Sequence, residues 1–135
     1  MVGAVLLLLG WLGFELFLSR STDRVEAQTA RLLELALAGG KAAADELLAA
    51  IAPDYRGEEH PRSQLERMIR SYVGESRIVS LRKMSLSADW LDDEIAVFAL
   101  VRVGLREGEF VLGVRVLFTE RDGSWKIVDV RNARW

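Results

Sequence analysis

Two side chains near the C-terminus have the types and spacing to do chemistry. Asp129 and Arg131 stand two residues apart in the stretch SWKIVDVRNARW, whose alternation of apolar and polar residues predicts a β-strand. Residues i and i+2 of a strand point to one face, so both should share a face with Trp125 and Ile127. A carboxylate among apolar side chains is a residue type suited to general-base catalysis. An arginine two residues on would instead pair with it, and the simpler expectation is a structural ion pair at a pocket mouth. His60 is the single histidine and lies between Pro53 and Pro61 in a polar stretch, where a solvated loop residue is expected. With one histidine and no cysteine, multi-histidine metal sites, cysteine-ligated zinc, thiol catalysis and disulfides are excluded. Asp92-Asp93-Glu94 alternate in direction at a strand edge and do not converge on one ion, so neither metal nor cofactor is expected. Trp90 and Trp135 could line a ligand site or cap a small core. Arg102, Arg106, Arg115 and Arg134 share a sheet face and could meet an anion. The net charge of −2 supplies no long-range steering toward nucleic acid, and no nucleic-acid partner is expected.

The elements that must position these residues are legible in the periodicity. Val25, Leu32, Leu33, Leu35, Ala36 and Leu37 recur at helical spacing, with Ser21, Thr22 and Asp23 available as caps and Gly39-Gly40 as the stop. A second helix is predicted over 41–51, with Ala44, Leu47, Leu48 and Ile51 on one stripe and Pro53 ending it. The polar loop 54–62 holds Tyr55, Gly57, His60 and Pro61. Ser63-Gln64-Leu65-Glu66 has the form of a capping box, and Leu65, Met68, Ile69, Tyr72 and Val73 form the apolar face of a third helix closed by Gly74.

From Arg77 the period changes to two, and strands are predicted over 77–88, 94–106, 109–120 and 124–134. Asp122-Gly123 is a two-residue hairpin signal, because a type I′ turn needs positive φ at both positions. Unbroken pairing from that turn puts Arg121 opposite Ser124 and Phe118 opposite Ile127. It then puts Val116 opposite Asp129, Val114 opposite Arg131 and Phe110 opposite Trp135. One face would then carry Ile95, Val97, Ala99, Val101, Phe110, Leu112, Val114, Val116, Phe118 and Ile127, together with Asp129, Arg131 and Trp135. Such an apolar face must be covered, and the helices are available to cover it. The opposite face, with Phe98, Leu100, Leu117, Val128 and Val130 among arginines, predicts a homodimer through the sheet.

Ahead of all this, residues 2–18 read VGAVLLLLGWLGFELFL, with Glu15 the one charge. As a helix they would rise about 26 Å at roughly 1.5 Å per residue, near the shortest span for a ~30 Å hydrocarbon core. Trp11 and Phe17 suit the interfacial zones. A cleaved signal peptide fits less well, since no basic residue precedes the run and no small-x-small pattern follows it; a buried core helix is the other alternative. The expected organisation is a single-pass membrane anchor over 1–19, contacting the bilayer through 2–18, and one domain over 20–135. Arg20, Arg24 and Arg31 after the run place the domain on the cytoplasmic side by the positive-inside rule, unless a basic stretch lies upstream of the given start.

The order LLELALAGG at 32–40, the helix at 41–51, Pro53-Asp54-Tyr55-Arg56-Gly57 and the closing DGSWKIVDV at 122–130 resembles the nuclear transport factor 2-like superfamily. The resemblance extends over about 22–135. It is nearest to bacterial members that carry a membrane anchor before the domain. It implies an α+β cone, with three helices packed on a curved four-stranded antiparallel sheet around a pocket, often dimerising through the sheet. It does not imply one activity, because the superfamily holds ketosteroid isomerases, limonene epoxide hydrolase, scytalone dehydratase and non-catalytic transport and assembly domains. By analogy with the isomerases, Asp129 would be a base and Tyr55 or Tyr72 a donor. The Asp–Arg–Asp set of the epoxide hydrolase is matched in two parts by Asp129 and Arg131. The two histidines of the dehydratase are not matched. The ligand-pocket candidates are therefore Tyr55, Tyr72, Asp129, Arg131 and Trp135, with no catalytic residue assigned. The expected function is binding of a small hydrophobic ligand or a protein partner without catalysis. The alternatives are a small-molecule isomerase, hydrolase or dehydratase, and an assembly module of a membrane complex.

Overall fold

The computed structural model describes the backbone of residues 2–133 and the side chains of residues 20–133. Its first element, α1, is a single helix from Val2 to Ala38. The expected start at Ser21, Thr22 and Asp23 is absent, since the helix passes through them without a break. The reason lies in packing. Ser21 and Thr29 are 6% exposed and Val25 is fully buried, so Ser21, Val25 and Thr29 form a stripe at i, i+4 spacing. The Thr29 hydroxyl donates to the Val25 carbonyl at 2.8 Å, which lets it enter the core satisfied. The helix ends where Gly39 and Gly40 take φ of 72° and 96°. A Cβ on Gly39 would lie 2.6 Å from Ser76 Oγ, so both backbone conformation and space demand glycine there.

Helix α2, Lys41–Ala49, leads into Ala50–Ala52, which binds the edge of the last strand. The Ile127 N–H donates to the Ala50 carbonyl and the Ala52 N–H to the Ile127 carbonyl, both at 2.8 Å. Helix α3, Arg62–Met68, continues into a π-helical turn, Ile69–Gly74. The predicted capping box does not form. The Leu65 N–H reaches the Pro61 carbonyl at 3.0 Å, so the helix starts one residue early and Ser63 falls inside its first turn. Glu66 pairs with Arg62 at 3.0 Å instead.

The sheet is an antiparallel meander, β1 (Ile78–Leu91), β2 (Glu94–Leu105), β3 (Gly108–Arg121) and β4 (Ser124–Asn132), in the order β1-β2-β3-β4. Asp122 and Gly123 hold φ of 53° and 80°, as a type I′ turn requires. Arg121 faces Ser124 and Phe118 faces Ile127, as expected. Beyond that point a bulge shifts the register, so Asp129 pairs with Leu117, Val130 with Val116 and Arg131 with Arg115. A bulge sets two residues opposite one, and a slip of one residue sends every later side chain to the other face. Asp129 and Arg131 therefore leave the face predicted for them. The bulge is held by the Arg56 N–H, which donates to the Val128 carbonyl at 2.8 Å. The buried Val128 side chain clusters there with Ala52, Ala96 and Leu117. The expected pairing of Phe110 with Trp135 involves a residue outside the described ones.

The inner face is otherwise as the alternation predicts. Ile95, Val97 and Phe118, all fully buried, pack on Val25 and Leu32 of α1. Ala99, Val101 and Val103 pack on Leu33. Ala43, Ala44 and Val73 join α2 to the π turn. Trp90 meets Trp125 edge to face, with ring centroids 5.9 Å apart, and both close the core around Val25.

Candidate functional site

A cavity of about 380 Å³ opens between the helices and the inner sheet face. Its wall runs from Thr29 and Leu33 of α1, past Leu47 and Ile69, to Ala99, Val101 and Val114 of the sheet. Among the described residues no Asp, Glu, His, Lys or Arg lines it, and Thr29 and Tyr72 bring its only hydroxyls. The Thr29 hydroxyl already donates within its own helix. Tyr72 has its ring under the Arg77 guanidinium at 4.7 Å, and Arg77 is itself anchored to Ser71 Oγ at 3.0 Å. The mouth is apolar as well, with Met68, Phe110 and Leu112 left 44%, 45% and 39% exposed. Among the described residues β3 pairs with β4 as far as Val114 opposite Asn132, with one further bond from the Ala133 N–H to the Gly113 carbonyl at 3.0 Å, and Phe110 and Leu112 lie beyond that point on the same face. A concave apolar site of this size with one hydroxyl at its rim matches what small hydrophobic ligands occupy.

Tyr72 is the one sequence-predicted pocket residue on this wall. Asp129, Arg131 and Tyr55 gather elsewhere, on the other side of the sheet, and Trp135 lies outside the described residues. Asp129 is fully buried. One of its oxygens accepts from the Val130 N–H at 3.1 Å and the other from Arg131 Nε at 2.8 Å. Arg131 then reaches Glu58 at 2.5 Å. The hydrogen bond to Asp129, and then its charge, hold the Arg131 guanidinium above its ordinary pKa. The Tyr55 hydroxyl donates to the His60 carbonyl at 2.7 Å, and burial, helped by the negative Asp129, pushes its pKa up. His60 Nε2 meets Asn132 Oδ1 at 3.1 Å, and the Asn132 N–H donates to Glu59 at 3.2 Å. This is a clasp that fastens the loop between Pro53 and Pro61 to β4, and its buried polar groups are spent on one another. Glu58 was invisible in the strand pattern, because it comes from the loop and its pairing spans 73 residues.

Glu94, the last of the three consecutive acids, accepts from Arg56 and, at 2.9 Å, from Thr119. Among the described residues no three metal-ligating side chains converge. The Arg56 hydrogen bond, supported by Thr119 and opposed by partial burial, holds the Glu94 carboxyl below its ordinary 4.5. Asp54 is lowered in the same sense, chiefly by Arg121. A carboxyl lowered in the folded state stabilises fully above its unfolded pKa, and that stabilisation is lost as pH falls through the folded value. The urea midpoint is expected to stay flat from about pH 7 to about 5 and to drop below the 4.5 ordinary for Glu94. Arg56→Gln should make that drop shallower; an unchanged slope would mean that the Arg56–Glu94 pair does not contribute to the loss of stability in acid.

A four-stranded antiparallel meander with three helices on its concave face and a cavity between them is the nuclear transport factor 2-like fold, and this chain has it. It is similar to a nuclear transport factor 2-like protein from Anabaena variabilis, with 18% identity over 83% of this chain and 87% of that one and a TM-score of 0.54. It is also similar to a candidate calcium/calmodulin-dependent protein kinase II association domain from Xanthomonas campestris, with 16% identity over 80% and 83% of the two chains and a TM-score of 0.57. A candidate scytalone dehydratase from Novosphingobium aromaticivorans shares 15% identity over 85% and 89% of the two chains, with a TM-score of 0.51. What these likenesses share with the chain is the fold, which by itself implies no activity. No protein-family model matches the chain, and no curated protein sequence does.

Proposed function

We propose that the chain is a membrane-tethered domain whose cavity holds a small apolar ligand, or the apolar part of a larger one, without transforming it. The observation that carries this reading is the wall of the cavity. Among the described residues it offers hydrophobic surface and one uncommitted hydroxyl, Tyr72, and no charged side chain that could move a proton. An isomerase, hydrolase or dehydratase would need an acid or base beside Tyr72, and the Asp129 carboxylate faces away with both oxygens engaged. Support for the tether comes from the apolar run at 2–18 and from the backbone of α1, which is helical from Val2 onward; the side chains of that run lie outside the described residues. Among the described residues no helix is long and apolar enough to cross a membrane. On this reading Arg20, Arg24 and Arg31 put the domain on the cytoplasmic face. The exposed Met84 and Val111 on the sheet leave room for a second copy or an assembly partner.

Ala99 is 2% exposed and lies on the cavity wall, so Ala99→Phe fills the cavity from its floor. Native mass spectrometry of the full chain in detergent is expected to find a retained apolar molecule. The variant should retain it at least about tenfold less, since one lost apolar contact surface is worth about 1.4 kcal/mol or more. A wild type that retains nothing and binds no added apolar dye would overturn the reading. So would a variant with unchanged retention.

A further inference from the structure

A second hollow of about 540 Å³ lies beside α1 from Arg24 to Leu35, between the end of α2 and the β3–β4 turn. Unlike the cavity, it is lined by charge. Arg24 and Arg31 come from α1, Lys126 from β4, and Glu46 is the one carboxylate among them. Arg24 is exposed and makes no ion pair with another described residue. Arg31 meets Glu46 at 3.4 Å, with side chains 67% and 55% exposed, an arrangement that contributes little. Lys126 donates to the Ala49 carbonyl at 3.0 Å, which fixes its ammonium at the rim. Gln28 is fixed by its bond to the Trp125 carbonyl at 2.9 Å. Three cations against one anion converge on one concave surface, although the whole chain has a net charge of −2. Such a local excess favours an anion that accepts several charge-assisted hydrogen bonds at once.

The place of Arg24 on α1 indicates where that anion comes from. It is six residues beyond Leu18 on a continuous helix, about 9 Å at 1.5 Å per residue. The headgroup layer beyond the hydrocarbon is about 5–8 Å deep on each side, so Arg24 would stand at its margin. We propose that this cleft holds the phosphate of an anionic phospholipid headgroup at its bilayer end, with Arg24 in contact and with Arg31 and Lys126, farther along the cleft, supplying the positive field behind it. The lipid source rests on the tether proposed above; the anion chemistry of the cleft does not, and the cavity ligand is independent of both.

The test is a titration of the full chain in neutral detergent with phosphatidylglycerol, phosphatidylcholine or inorganic phosphate, followed by native mass spectrometry. Wild type should bind one phosphatidylglycerol with clear preference over phosphatidylcholine. Arg24→Gln with Lys126→Gln should weaken it by about tenfold or more, while Glu46→Gln, which removes the competing carboxylate, should strengthen it a few-fold. A gain of binding is an outcome that misfolding does not mimic. Inorganic phosphate that binds and follows the same variants, with no preference among lipids, would keep the anion site and overturn the lipid source. Lipid and phosphate binding that ignore all three substitutions would overturn the proposal outright.

Discussion

Phe118→Ala is expected to destabilise the domain by about 3–5 kcal/mol, the largest effect of any single truncation proposed for this chain. Phe118 is the largest fully buried side chain among the described residues, and it joins the two halves of the core. It packs with Ile95, Val97 and Val25, and it also forms part of the cavity wall. Its removal leaves a void where β2, β3 and α1 meet, and close-packed neighbours relax into such a void only in part. Phe110 is the control. It is on the same strand and the same face, but 45% exposed at the mouth, so Phe110→Ala should cost about 1 kcal/mol or less while weakening retention of the cavity ligand. Urea midpoints of the full chain in detergent measure both. Equal losses at the two positions would mean that the core does not centre on Phe118 as described.

Asp129→Ala is the second large effect, expected at about 2–3 kcal/mol. The substitution strips Arg131 Nε and the Val130 N–H of their acceptor. Breaking a fully buried pair costs more than this as a rule. Here Arg131 is 36% exposed and keeps Glu58, which moderates the penalty. Asp129→Asn, which preserves shape and one acceptor, should cost about 1 kcal/mol. Neither change should alter what the cavity retains, because Asp129 lies on the other side of the sheet. An Asp129→Asn protein of full stability that has lost its ligand or a turnover would make Asp129 a functional group after all. These two substitutions thus separate a structural carboxylate from a catalytic one without requiring the substrate to be known.

How much of the fold is legible in the amino-acid sequence depends on the range of each signal. Alternation over 94–105 and 108–121, the Asp122-Gly123 turn and the Gly39-Gly40 stop are local. Each follows from steric preference or from side-chain direction within a few residues. For that reason the α+β layout, the strand order and the apolar face that the helices cover were all fixed by residue order alone. The candidate site failed at one residue. Whether β4 continues in register or bulges at Val128 depends on the Arg56 N–H and on Ala52, which arrive from a loop far away in the chain. A period-2 pattern contains no trace of that bond. Yet the bond decides which face receives Asp129 and Arg131, and with them whether the cavity has any charged group. The continuity of α1 through Ser21 was likewise decided by burial against the sheet, which overrode good capping residues. Local geometry is written in neighbouring residues; the chemistry of the cavity was settled by contacts between distant ones, which exist only once the chain has folded.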